Sequence, residues 1–476
     1  MQKCNANGGM RQNGAVLTVE RVELRRDLGV VDLTLTQILF IVGLPWVGVA
    51  AKQGPSHVFL WLAAIVLFYL PSAAVVIHLN RAMPLEGGLY QWAKLGFSER
   101  TGFLVAWNLW LFAILNTSEI GLQVTQYFHY VLGARGAALA ANNGVVAIVN
   151  VVILAGLVGV TIAGLNIGKW VHKSGGVLML TTFALLLVLP WLNLARGTLA
   201  EFHPLATAMP VASLLSFNIA AKMGFGALGG FEYVAIHAGE CRNPERAIAR
   251  SVWVAAPIIG VMFILGTASV LALVPMDQID LIAPIPQVLS LGFGASGSGG
   301  AVAMLTIGVL LCVRVAQSSV MFAGNSRLPM VAGWDGLLPP WFTRLHPRYK
   351  TPVNSILFVG VVTLAFSMAG LVGVGKQEAF QLLWNASAIF YALTYLVMFA
   401  LPFSIASPGW LRVASASGFL MTLAFVVLSI LPIVQVESRL SFAMKISTVV
   451  VLTNVLGAAI FLSRRRGDTL STPTGV

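Results

Sequence analysis

Residues 224–232 read Gly-Phe-Gly-Ala-Leu-Gly-Gly-Phe-Glu, and they fall inside an apolar block that runs over 211–237. A block of that length meets the ~20 residues a helix needs to cross a bilayer core. Glycine is the poorest helix former after proline, so the cluster Gly224, Gly226, Gly229 and Gly230 predicts that the helix breaks there. A break at membrane depth frees amides and carbonyls, and is tolerated only where it is buried in protein or lines a cavity. Close packing between small residues also uses glycine, but this cluster with the carboxylate of Glu232 directly behind it exceeds packing needs. The stretch predicts a broken spanning helix at the wall of a cavity.

A second interruption, Gly43-Leu44-Pro45-Trp46-Val47-Gly48, lies in the first apolar block, 30–50. Further blocks of spanning length are expected at 57–80, 102–132, 144–165, 174–195, 251–275, 299–324, 353–374, 379–403, 411–435 and 441–463. With 211–237 as the sixth, this gives twelve helices, and the two breaks open successive groups of five. Interrupted segments at matching positions of two halves point to a secondary transporter that binds its substrate at the midplane.

Composition agrees. Apolar residues make up 58% of the chain and charged residues 10%, where a soluble protein carries about 25% charged residues. The mean hydropathy is +0.86. A soluble enzyme and a disordered chain are excluded, and an outer-membrane barrel would show short alternating strands instead. Of the 29 lysines and arginines, 21 fall in segments on one side of the twelve-helix topology and 6 on the other, with Lys222 and Arg314 inside spans. Basic loops stay in the cytoplasm, so both termini are expected inside, in a multi-pass protein of the cell membrane. The net charge of +12 forms no patch apart from the spans, so no nucleic-acid partner is expected.

The polar first 27 residues carry no secretory signal, and Cys4, Cys241 and Cys312 make no metal or disulfide pattern. There is no HExxH, no nucleotide loop and no G-x-S-x-G elbow. Neither an enzyme, a metal site nor a cofactor is expected. A channel would need a continuous pore and a filter, whereas paired broken helices favour alternating access. The domain reading is a cytoplasmic tail at 1–27, a transporter core at 28–403 with repeats of about 28–195 and 211–403, helices 11 and 12 within 404–466, and a tail at 467–476.

Further motifs appear in order along the chain: Leu28-Gly29-Val30-Val31-Asp32-Leu33-Thr34, Pro84-Leu85-Glu86-Gly87-Gly88-Leu89-Tyr90 and Leu165-Asn166-Ile167-Gly168-Lys169. Then come Gly230-Phe231-Glu232 with Gly239-Glu240-Cys241-Arg242-Asn243-Pro244-Glu245-Arg246-Ala247-Ile248, Ser326-Arg327-Leu328-Pro329, Asp335-Gly336-Leu337-Leu338-Pro339 and Thr351-Pro352-Val353. With these, residues 28–402 resemble the amino acid–polyamine–organocation (APC) superfamily. The resemblance implies a LeuT-type fold of two inverted five-helix repeats followed by two further helices. It implies an amino acid permease working by symport or exchange, with substrate between the breaks of helices 1 and 6. In the family the substrate α-carboxylate rests on helix 1 amides and the amine on carbonyls of both breaks. The corresponding residues are Gly43, Leu44, Pro45 and Trp46 on helix 1, and Phe225, Gly226, Leu228 and Gly229 on helix 6.

Family members usually read Gly-x-Gly-Ile at the helix 1 break, where this chain has Gly43-Leu44-Pro45-Trp46. Proline has no N–H, so one amide of the anion cradle is missing. Either Pro45 only fixes the break, or the substrate lacks an α-carboxylate, as a polyamine or other amine does. By placement, Asn116 of helix 3 and Asn385 of helix 10 are candidates to touch the substrate side chain, and Phe225 and Trp46 to gate the site.

Glu119, Lys222, Glu232 and Arg314 lie well inside spans, where an ionisable group is costly and is by default a functional candidate. In related antiporters the glutamate at the place of Glu232 takes part in proton-linked gating; the plainer role is to cap broken-helix amides. Glu119 and Arg314 are central in helices 3 and 8, which are neighbours in this fold, and are expected to pair. Ser318 and Ser319 fall where sodium-coupled relatives hold the ion. The helix 5 place where some members carry a lysine falls near Thr181 or Thr182. Sodium, proton and simple exchange all stay open as the coupling mode.

Overall fold

A computed structural model describes residues 28–470, apart from 86, 242, 295–296, 335, 337, 372–375, 434–435 and 437. The predicted tail at 1–27, residues 471–476, and the motif residues Glu86, Arg242, Asp335 and Leu337 lie outside the described residues. Among the described residues every element is a helix, and the sole β-type contact is an isolated bridge between Leu28 and Cys241.

Among the described residues ten helices are long and apolar enough to cross a membrane, or eleven when the bent pair Val30–Ile41 and Leu44–Ala51 counts as one span. That pair is helix 1. Helix 2 is Gly54–Ala82, helix 3 Glu99–Leu132, helix 4 Asn143–Ala163, helix 5 Ile167–Ala195 and helix 6 Leu214–Ile236. Helix 7 is Pro244–Leu273, helix 8 Gly299–Met330, helix 10 Glu378–Ser404, helix 11 Gly409–Ser429 and helix 12 Arg439–Ser463. Helix 9, the remaining predicted span at 353–374, is a shorter apolar helix of 17 residues, Val353–Ala369. At 1.5 Å per residue it covers ~25 Å of a ~30 Å bilayer core.

The starts of several helices are written in local chemistry. Ser98, Asn142, Ser213 and Asn243 each stand just before a helix, and each side-chain oxygen accepts a backbone N–H from the first turn. Such caps satisfy donors that a helix start leaves free. Several buried hydroxyls inside the spans donate to the carbonyl one turn back, as Thr125 does to Gly121 at 2.7 Å and Thr182 to Leu178 at 2.9 Å.

The outward faces carry large apolar side chains, including Trp253 at 68% and Leu305 at 71% exposed. Such a face suits lipid rather than water. Inside, helix 10 lies along helices 3 and 11, helix 8 along helix 5, and helix 1 between helices 5 and 7. Asp32 ties the start of helix 1 to helix 5 through Lys169 at 3.5 Å and Lys173 at 3.8 Å.

Helix 6 is broken over a longer stretch than its glycines alone predict. A regular helix, Leu214–Ala221, widens into a π turn over Lys222–Gly226, lapses at Gly229 and Gly230, and resumes as a tight 3-10 run, Phe231–Glu240. Gly230 takes φ +144°, and a Cβ there would stand 2.6 Å from Ile41 Cγ1 and 2.8 Å from Phe40 Cδ1. The two breaks therefore touch, and only glycine allows it. Helix 3 also lapses locally at Glu119, between Glu99–Ser118 and Ile120–Leu132.

Candidate substrate site

Helix 1 bends by 47° between its two halves. The Gly43 N–H is spent on Ile41 O at 2.8 Å, and the Trp46 N–H on Gly43 O at 3.1 Å. Pro45 has no N–H. Of these four residues, only Leu44 keeps an amide outside these bonds. The carbonyl side of the break is also engaged, since Gln317 of helix 8 donates Nε2 to Leu39 O at 2.8 Å and to Val42 O at 3.0 Å.

The indole of Trp46 lies across both breaks. A Cβ on Gly43 would stand 2.8 Å from Trp46 Nε1, and one on Gly226 would stand 2.6 Å from Trp46 Cη2. Both glycines are thus required to seat the ring, which also meets the Trp384 ring at 5.5 Å.

A cavity opens beside this indole. Of the residues predicted for a substrate site, Gly43, Pro45, Trp46, Asn116, Phe225, Gly226 and Gly229 are on its wall. Leu44, Leu228 and Asn385 are not. The wall also includes Phe40, Phe112, Gln123, Gln317, Met321, Trp384 and Tyr391, which sequence reasoning missed. Among the described residues Arg314 is the single charged side chain on the wall.

Arg314 pairs with Glu119, and both are buried. Its guanidinium donates Nη2 to Glu119, Nε to Gln123 and Nη1 to Ser318 at 2.9 Å, with Gln317 Oε1 at 3.5 Å. Ser318 therefore serves the guanidinium, while Ser319 meets His172 of helix 5 at 3.5 Å.

Glu232 is buried behind the wall. Tyr391 and Tyr395 of helix 10 each donate a hydroxyl to its carboxylate, one to each oxygen. The Tyr395 oxygen also accepts the Gly230 N–H at 2.7 Å. Glu232 is thus held by two tyrosine hydroxyls from helix 10. Lys222, in the π turn, donates to Asn385 Oδ1 at 3.0 Å and to Ser429 Oγ at 3.3 Å. Among the described residues no carboxylate pairs with it. This explains why Asn385 is away from the cavity: a buried ammonium draws the nearest neutral acceptors.

Broken spanning helices around a buried, aromatic-walled cavity define a multi-pass membrane transporter rather than an enzyme. Residues 28–460 match a family model described as "Amino acid permease", and the chain belongs to that family. It is similar to a branched-chain amino acid permease of Bacillus subtilis, 25% identical over 76% of this chain and 80% of the relative. It is similar to a protein of Lactococcus lactis named "Probable agmatine/putrescine antiporter", 20% identical over 86% and 89%. It is also similar to a low-affinity putrescine importer of Escherichia coli, 25% identical over 72% and 75%.

Proposed function

We propose that the chain is a secondary active permease for zwitterionic amino acids with apolar side chains, working by alternating access. The observation that carries this reading is the cavity wall: mostly aromatic and apolar, with the amides of Asn116, Gln123 and Gln317 and, among the described residues, Arg314 as its only charge and no carboxylate. Among the described residues the buried carboxylates, Glu119 and Glu232, are matched in number by the buried cationic side chains Lys222 and Arg314. A zwitterion adds no net charge to that interior. A diamine brings two positive charges with no acid on the wall to meet them, and a buried unpaired charge is costly. Pro45 and the putrescine carriers among the relatives favour the second reading, an amine transporter without the carboxylate grip.

The fold in this reading is LeuT-type, with inverted repeats at about 28–195 and 211–403 and helices 11 and 12 outside them. The helix neighbours support it. Helix 3 lies on helix 10 as helix 8 lies on helix 5, and helix 3 meets helix 9 as helix 8 meets helix 4. Helix 1 meets helix 7 as helix 6 meets helix 2. The charge split supports both termini in the cytoplasm.

Substrate would sit between Gly43–Trp46 and Phe225–Gly229, with Asn116 at its side chain and Trp46 and Phe225 as gates. Glu232 would couple gating to a proton through Tyr391. A cation held at Ser318 would face the guanidinium of Arg314, so we favour proton coupling or exchange over sodium.

A thermal-shift panel on the purified protein tests the reading, since a ligand bound only to the folded state raises its stability. Matched pairs of an amino acid and its decarboxylated amine are compared, with and without sodium, at pH 5.5 and 7.5. Stabilisation by apolar amino acids, independent of sodium, is expected. Stabilisation by the amines alone would move the reading to an amine carrier.

A further inference from the structure

We propose that Arg314 is the residue that holds the substrate carboxylate, taking over the role of the helix 1 amides; this rests on the amino acid permease reading above. Helix 1 is poorly equipped for an anion. Pro45 has no N–H, and the amides of Gly43 and Trp46 are spent on backbone carbonyls at 2.8 and 3.1 Å. One remaining amide, that of Leu44, is too few for a carboxylate that needs several donors in a buried site.

Arg314 has what the break lacks. Among the described residues it is the only charge on the cavity wall, and it is 3% exposed. A guanidinium presents five N–H donors in a planar fork that matches a carboxylate. Glu119, Gln123 and Ser318 take one direction each. The fourth contact, Nη1 to Gln317 Oε1, is at the limit of a hydrogen bond at 3.5 Å. Gln317 does not depend on it, because its Nε2 is anchored to Leu39 O and Val42 O. A carboxylate entering from the cavity takes the remaining N–H and replaces this loose contact without disturbing the helix 1 break.

Glu119 completes the device. It neutralises Arg314 while the site is empty, where an unpaired buried guanidinium would be severely destabilising. When substrate binds, its own ammonium balances the second carboxylate, so the filled site stays neutral. The arrangement selects acids over amides and amines of the same side chain.

The test is a binding panel on the full-length protein with three matched sets: leucine, leucinamide and 3-methylbutylamine; valine, valinamide and 2-methylpropylamine; phenylalanine, phenylalaninamide and phenethylamine. Wild type is expected to bind at least one acid about 10-fold or more tighter than its amide and amine, the scale of a hydrogen bond to a charged group. The double variant Glu119→Gln with Arg314→Gln removes both charges together, so neither is left unpaired. It is expected to lose that acid-to-amide preference. Arg314→Lys keeps the buried pair and removes the fork, so acid affinity is expected to fall while amide affinity holds; it serves if the double variant does not fold. An acid preference that survives the double variant, or unchanged acid affinity in Arg314→Lys, overturns the proposal. Amides or amines binding wild type as tightly as acids also overturns it, and leaves a permease of another substrate class. Silence from every member, with no stimulated flux of any of the acids in proteoliposomes, overturns the amino acid reading and this proposal with it.

Discussion

The Tyr391 hydroxyl donates to the Glu232 carboxylate, while the ring of the same tyrosine stands on the cavity wall and stacks on Phe112 at 4.1 Å. Whatever fills the cavity therefore presses on a group that holds the buried acid. Tyr391→Phe keeps the stacking and removes one of the two tyrosine hydroxyls that donate to Glu232. It is expected to cost about 1–3 kcal/mol, the penalty for leaving a buried acceptor unmet, read as a lower unfolding midpoint. Substrate exchange is expected to persist with a flattened pH dependence of uptake. A pH profile that superimposes on wild type would break the proposed link between Tyr391 and coupling.

Glu119 and Arg314 are both buried and face each other across helices 3 and 8. Removing either partner alone strands the other. Glu119→Gln and Arg314→Gln are each expected to lose about 3–5 kcal/mol. The double variant is expected to lose much less than their sum, since no stranded charge remains. A double-mutant cycle on unfolding stability measures this, and additive losses would show that the two do not act as a pair.

Trp46 is seated by two glycines. Gly226→Ala places a methyl group against the indole, whose Cη2 lies 2.6 Å from the added Cβ position. Overpacking of this kind costs about 1–3 kcal/mol. Trp46→Phe removes the far ring and is expected to restore stability in the Gly226→Ala background. If it deepens the loss instead, the ring does not pack against Gly226 as described.

Lys222 is buried with two neutral partners, Asn385 and Ser429. An ion buried without a counter-charge costs several kcal/mol, against about 1–3 kcal/mol for the bond that Asn385 would lose. Lys222→Met is therefore expected to raise the unfolding midpoint, and adding Asn385→Leu to raise it further. A clear fall in Lys222→Met would mean that the ammonium is matched by a charge.

Much of this was legible in the sequence, because bilayer solubility is written directly into composition. The apolar blocks, the Gly/Pro interruptions and the pairing of Glu119 with Arg314 follow from local rules and from how few charges the spans contain. The cavity wall was only half legible. Gly43, Pro45, Phe225 and Gly226 announce themselves as breaks or neighbours of breaks. Phe40, Phe112, Trp384 and Tyr391 are ordinary aromatics among 26 Phe, 12 Trp and 8 Tyr, and helix rotation alone decides which of them face inward. Asn385 looked like a substrate contact and instead serves Lys222, a long-range pairing that no spacing encodes. The lapse of helix 3 at Glu119 has no glycine or proline beside it except Gly121, two residues on. Helix 9 stops at Ala369, one residue before Gly370, although the apolar run continues beyond it.

Counterflow in proteoliposomes tests the central claim most directly. Vesicles are loaded with an unlabelled apolar amino acid, diluted into the same labelled amino acid, and compared with vesicles loaded with and diluted into putrescine. The account predicts transient, saturable accumulation of the labelled amino acid and none of putrescine. Counterflow of putrescine without counterflow of any apolar amino acid would contradict it.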